Sequence, residues 1–178
     1  MGLPKSDLKG ILQEYYVILY GSQNKGDIMN TILIKPHHFM DIIKLYGSGI
    51  ETFVPDEKMG HDFYRIANEI IQNPECSLKL TIEGDDICQP CKMFDQKCVD
   101  GLNNIIGFKS KDQYNKVLDC RIISRLNLTE ENYSAKELCR ILYDSHEIVY
   151  DVWKEENDEL TERRRELFQK GAAKFLKD

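Results

Sequence analysis

The sequence predicts an α+β fold: a single, mainly helical domain built around a small sheet. Two patterns lead there. Residues 31–35 and 77–82 are short runs of β-branched or alternating apolar residues, closed by Pro36 and by Glu83-Gly84-Asp85-Asp86, which is strand chemistry. Most other patterned segments place apolar residues three or four positions apart, which is helix chemistry. A chain of 178 residues that is 42% hydrophobic can build one core, and 30% charged residues argue against disorder.

Residues 1–28 read as an N-terminal extension. Leu8, Ile11, Leu12, Tyr15, Tyr16 and Leu19 fit one helical face, interrupted by Gly10 and followed by a Gly-Ser-Gln-Asn-Lys-Gly loop. Lys25-Gly26-Asp27-Ile28 can be encoded by a purine-rich ribosome-binding sequence just ahead of Met29. The natural start is therefore expected at Met29, with a genuine helical arm as the alternative. A core domain over 29–132 and a C-terminal helical extension over 133–178 complete the expected layout.

Thr31–Lys35 is the first predicted strand. His37–Tyr46 follows as a helix, with Phe39, Ile42, Ile43 and Tyr46 on one face and Gly47 as its stop. The next helix spans 61–72, with Phe63, Ile66, Ala67 and Ile70 at helical spacing and Asn73-Pro74 as its end. Ser77–Ile82 alternates and is the second strand. Ser110 is placed to cap a helix carrying Tyr114, Val117, Leu118, Ile122 and Leu126. Ser134-Ala135-Lys136-Glu137 is a capping box opening a longer helix that buries Leu138, Ile141, Leu142, Val149, Val152 and Trp153. The last twenty residues, largely charged, predict a solvated terminal helix.

A net charge of −6 leaves no basic surplus to displace phosphate counterions, which argues against sequence-independent nucleic-acid binding. No apolar run approaches the roughly 20 residues that cross a bilayer, and no basic-then-apolar leader opens the chain. A soluble cytoplasmic protein is expected, without nucleic-acid or membrane partners. Glycine-rich phosphate loops, Ser-His-Asp arrangements and His-Glu-x-x-His helices are absent, so no catalytic residue is assigned.

In a reducing compartment clustered cysteines point to metal or catalysis and scattered ones to core filling. Cys88, Cys91 and Cys98 are clustered, in a polar segment with Asp85, Asp86, Lys92, Asp95, Gln96 and Lys97. A Cys-x-x-Cys turn lets two sulfurs face one ion. Three thiolates leave one position, and the two predicted strands suggest who fills it. His37-His38 follows the first and Cys88 follows the second; if the strands are parallel neighbours, their carboxyl ends share one edge of the sheet. The metal site is expected at that edge. His38, nearer the apolar side of its helix, is the preferred fourth ligand, with His37 orienting it or facing solvent. Cys120, expected to be solvent-exposed, is the alternative.

Asp85-Asp86 reads as turn capping in preference to support of the metal. His61-Asp62 reads as surface or capping chemistry. Cys76, Cys139 and His146 read as structural. Thiol–disulfide exchange of the thioredoxin kind is disfavoured, because no proline follows Cys91 and a third cysteine does.

Lys35-Pro36-His37-His38, followed by Gly84-Asp85-Asp86-Ile87-Cys88-Gln89-Pro90-Cys91 and then Cys98, resembles an uncharacterised prokaryotic family, DUF1284, over about residues 31–128. The N-terminal stretch and the charged C-terminal helices depart from that pattern. The family is described as iron–sulfur binding. The resemblance therefore implies an iron–sulfur cluster, 4Fe–4S in form, on Cys88, Cys91 and Cys98, with His38 or a substrate at the remaining iron. Electron transfer with a redox partner protein, or Lewis-acid action on a small molecule, is the function this implies. Ligand types alone leave zinc open, as a structural knot presenting a protein-binding surface.

Overall fold

The computed structural model of the chain describes residues 31–102 and 105–177. The expectations for residues 1–28, and for Met29 as a start, lie outside that range. Strand β1 (Ile32–Ile34) ends at Pro36, whose fixed φ and missing N–H suit the first position of helix α1 (Pro36–Gly47). Helix α2 (Phe63–Gln72) leads to β2 (Ser77–Leu80), which lies parallel to β1 with Ile32 opposite Leu78 and Ile34 opposite Leu80. The parallel pairing expected from the sequence is present. It brings the carboxyl ends of both strands to one edge.

The cysteine segment follows β2 and ends in a hairpin of two-residue strands, β3 (Phe94–Asp95) and β4 (Lys97–Cys98). Gln96 turns it with a φ of 57°. Helix α3 (Lys111–Leu126) is capped by Ser110 Oγ, which accepts from the Gln113 N–H, and stops at left-handed Asn127. A short strand β5 (Tyr133–Ser134) pairs antiparallel with β2, giving the sheet order β1-β2-β5. The capping box at Ser134 and Glu137 is formed and opens helix α4 (Ala135–Asp144). Helices α5 (Ile148–Val152) and α6 (Asp158–Phe175) complete the described fold.

Four expectations are corrected. The long helix after Ser134 is two helices, broken at Ser145–Glu147. There His146 folds back, its backbone N–H and its ring Nδ1 both meeting the Tyr143 carbonyl, the latter at 2.8 Å. His146 is accordingly half-buried at the break between the two helices and not a core residue. Cys120 is fully buried and not exposed, because α3 is covered on more sides than its apolar stripe implied.

The terminal helix is not solvated. Phe168, Ala172 and Phe175 of α6 are buried, and α6 lies directly on α1. The approach is close enough that a Cβ on Gly47 would strike the Leu167 carbonyl and one on Gly171 the Ile43 carbonyl. Glycine is required at both positions. Around this crossing Arg164 pairs with Asp41 at 2.8 Å and stacks over Trp153, while Lys174 stacks over Tyr46. Tyr133–Ser134 thus add a strand to the sheet, and α6 packs into the same core as β1, β2 and α1. No helix among the described residues is long and apolar enough to cross a membrane.

Candidate metal centre

The carboxyl edge of β1 and β2 is where the fold buries its polar groups. Lys35, His37, Asp85 and Asp119 are each at most 5% exposed, in a molecule whose other buried residues are mainly apolar. Buried polar groups persist only when they are partnered, so the hydrogen bonds of this cluster define its construction.

Asp85 is its hub. Its Oδ2 accepts from the Lys35 backbone N–H at 2.9 Å and lies 2.7 Å from His38 Nδ1; its Oδ1 accepts from the Cys88 N–H at 3.0 Å. One carboxylate therefore ties the end of β1, the first turn of α1 and the start of the cysteine loop together. Asp86 serves the strand instead. Ile34 directs its carbonyl toward β2, where it accepts from Thr81, so Leu33 faces the other way. Asp86 meets that free edge with both its Oδ2 and its own N–H. Of the paired acids, Asp85 makes the turn cap the sequence suggested, on the Cys88 N–H, and also meets the candidate ligand His38, whereas Asp86 bonds back to β1.

The two histidines differ. His37 is buried against Asp119, with Nδ1 at 2.8 and 2.9 Å from the carboxylate oxygens and its backbone N–H donating to Oδ1. Asp119 is thereby also an acidic cap on α1. His38 is 17% exposed at its side chain, lies tilted against the His37 ring with centroids 4.4 Å apart, and turns Nδ1 to Asp85. Its Nε2 forms no hydrogen bond among the described residues. A carboxylate on one imidazole nitrogen, with the other left available, is the arrangement that orients metal-binding histidines. One donor atom each from His38, Asp85 and Cys88 lie within 4.8 Å of one another, and this is the group of the described residues able to hold a metal ion.

The thiols are placed as follows. Cys88, half-buried, faces Lys35, whose Nζ lies 3.6 Å from Sγ. Cys91 closes a turn on the Cys88 carbonyl, and its Sγ accepts from the Met93 N–H at 3.4 Å, an N–H···S contact suited to a thiolate ligand. Cys98 ends the hairpin, its N–H donating to Asp112. Phe94 from the same hairpin seats its ring on Gly84, where any Cβ would collide with it. Cys91 and Cys98 are half-buried and share the loop with Cys88, but lie outside the His38–Asp85–Cys88 group, as do His37 and Cys120.

Burial, reinforced by the Asp85 charge, pushes the Cys88 thiol up to about 12, so metal binding there must displace a proton. Burial and the adjacent His37 lower His38, leaving the imidazole neutral and ready to donate a lone pair. Burial alone would raise Asp85; the His38 contact, the Lys35 N–H and the Lys35 charge outweigh it and keep the carboxylate ionised. Burial likewise opposes the Lys35 charge, and Cys88, Asp119 and Asp85 overcome that penalty. The Cys120 and Cys139 thiols, each pushed up to about 12 by burial, are suited to packing and not to ligation.

Lys35 and Asp119 escaped the sequence reading as site residues. An available signal was the acid inside the apolar run Val117-Leu118-Asp119-Cys120, since a carboxylate there needs a buried partner. The chain matches no protein-family model, no curated protein and no solved structure. The functional reading therefore rests on the site.

Proposed function

We propose that this chain is a metal-binding protein whose centre is an iron–sulfur cluster, held by Cys88, Cys91 and Cys98 with His38 or a substrate at the remaining position. The observation that carries the metal reading is the convergence of His38, Asp85 and Cys88 at the carboxyl edge of β1 and β2. With a metal bound, Asp85 would orient the His38 imidazole through Nδ1 or itself lend an oxygen, and His38 and Cys88 would hold the ion. The Cys91 contact with the Met93 N–H supports a thiolate in the turn. The ordered Pro-His-His and Asp-Asp-x-Cys-x-x-Cys motifs, similar to those of DUF1284, support the iron–sulfur form. When bound, such a cluster supplies an electron to a redox partner protein or a Lewis acid to a small molecule.

A second reading is favoured by the same carboxylate-oriented imidazole beside thiols: a zinc ion in a mixed histidine–cysteine shell, fixing the loop as a protein-binding surface. Anaerobic purification, metal analysis and a visible spectrum separate the two. A brown protein with iron and acid-labile sulfide is expected. A colourless protein with one zinc establishes the second reading, and a protein that holds neither metal after reconstitution refutes both.

A further inference from the structure

We infer that Lys35 is a positioning residue of the metal centre: its ammonium donates an N–H···S hydrogen bond that aims the Cys88 sulfur and sets a fixed positive charge beside it. The inference deepens the metal reading above and rests on it.

Lys35 is the last residue before α1, and its backbone N–H is pinned by Asp85. Its side chain is carried into the protein, leaving the residue 2% exposed, with Nζ 3.6 Å from Cys88 Sγ. A buried ammonium needs acceptors and negative charge. Two carboxylates stand in this cluster and lend it negative charge, but their hydrogen bonds go to other groups. Asp85 serves the Lys35 backbone, His38 and Cys88 N–H, and Asp119 serves His37. Among the described residues, the hydrogen-bond acceptor that Nζ meets is the Cys88 sulfur.

A neutral thiol is a weak acceptor, whereas a metal-bound thiolate is a charged one. The arrangement is thus incomplete with Cys88 as a thiol and complete with its sulfur on a metal. Cys91 has a different donor, the Met93 backbone, so the lysine singles out one ligand sulfur of the turn. A cation beside a ligand sulfur lowers the energy of its donor electrons and favours the more negatively charged state of a redox centre.

Titration of the full-length chain with Co2+ alone, following the sulfur-to-cobalt charge-transfer band, tests this. Lys35→Met is expected to bind about 10–100-fold more weakly, the range found when outer partners of ligands are removed. Its band should move to lower energy, and Lys35→Arg should restore most of both. In iron-loaded protein the midpoint potential of Lys35→Met should fall. Wild-type affinity together with a wild-type band in Lys35→Met would overturn the role of Lys35 while leaving the metal centre standing. A wild-type chain that gives no sulfur-to-cobalt band and holds no iron after reconstitution would remove the metal centre and this inference with it. If Lys35→Met lacks a cooperative melt, Lys35→Gln takes its place with the same opposed outcomes.

Discussion

The two ends of α1 use burial in opposite ways. Its first turn is surrounded by Lys35, Asp85, Asp119 and two imidazoles, joined by directional hydrogen bonds. Its last turn is pressed against α6 through Gly47 and Gly171, backbone against backbone, flanked by Tyr46 and Phe168. Polar groups taken from water gain little net stability even when well paired, whereas close apolar packing gains directly. The C-terminal end thus stabilises the helix, and its N-terminal end points side chains in fixed directions. A rigid element anchored at one end and functional at the other is how a site keeps its geometry.

The comparison can be broken most severely at the glycines. Gly171→Ala forces a methyl group into the Ile43 carbonyl and should cost about 3 kcal/mol or more, read as a lower urea midpoint. The folded fraction should still bind metal with wild-type affinity. Loss of metal affinity without loss of stability would mean that the two ends are not separable in this way.

At the other end, Asp119→Asn removes the charge that accepts from both the His37 backbone and its ring. A cost of about 2 kcal/mol in the same urea experiment is expected, because the hydrogen-bond partners stay buried. A neutral outcome would show that the His37–Asp119 pair is dispensable to the fold.

A smaller and pH-dependent effect belongs to the helix crossing. Burial by itself would raise Asp41, but Lys44 and Arg164 outweigh it and hold the carboxyl down to about 2. A folded-state pKa below the ordinary carboxylate value stabilises the protein above that value, and the gain is lost as pH falls through about 2. Comparison of wild type with Asp41→Asn should show a difference of about 1 kcal/mol near neutrality, discounted because both partners touch solvent. That difference should shrink as the pH drops from about 5 towards 2. A difference that grows on acidification contradicts the assignment.

Cys139→Ala sharpens the contrast from the core side. Cys139 is fully buried away from the cysteine loop, so its truncation should leave metal content unchanged and cost about 1 kcal/mol in thermal or urea melts. Cys91→Ala should do the reverse and lower metal content strongly. Equal metal retention by the two variants would remove Cys91 from the site.

Much of this organisation could be read from local pattern. The strands at 32–34 and 77–80, the helices that follow Pro36 and Ser110, and the capping box at Ser134 each carry their own chemistry within a few residues. The meeting of His38 with Cys88 also followed, because two strands joined by helices were expected to pair in parallel. What escaped depends on partners distant in sequence. The long helix breaks at His146 although apolar spacing continues across it, since periodicity does not register a side chain folding onto its own backbone. α6 was expected to be solvated because its contact with α1 is made partly by glycine and alanine, which carry almost no hydrophobic signal yet permit the closest approach. Lys35 and Asp119 read as ordinary charged residues until the fold sets each beside the side chain it serves, 53 and 82 residues away.

The central claim is that His38 and Cys88, held by Asp85, ligate a metal at the carboxyl edge of the parallel strands. Metal content per chain, measured on anaerobically purified wild type, His38→Gln and Cys88→Ser, tests it most directly. Wild type should carry a full centre and both variants should lose most of it while keeping cooperative melts. Wild-type metal content in both variants would contradict the account.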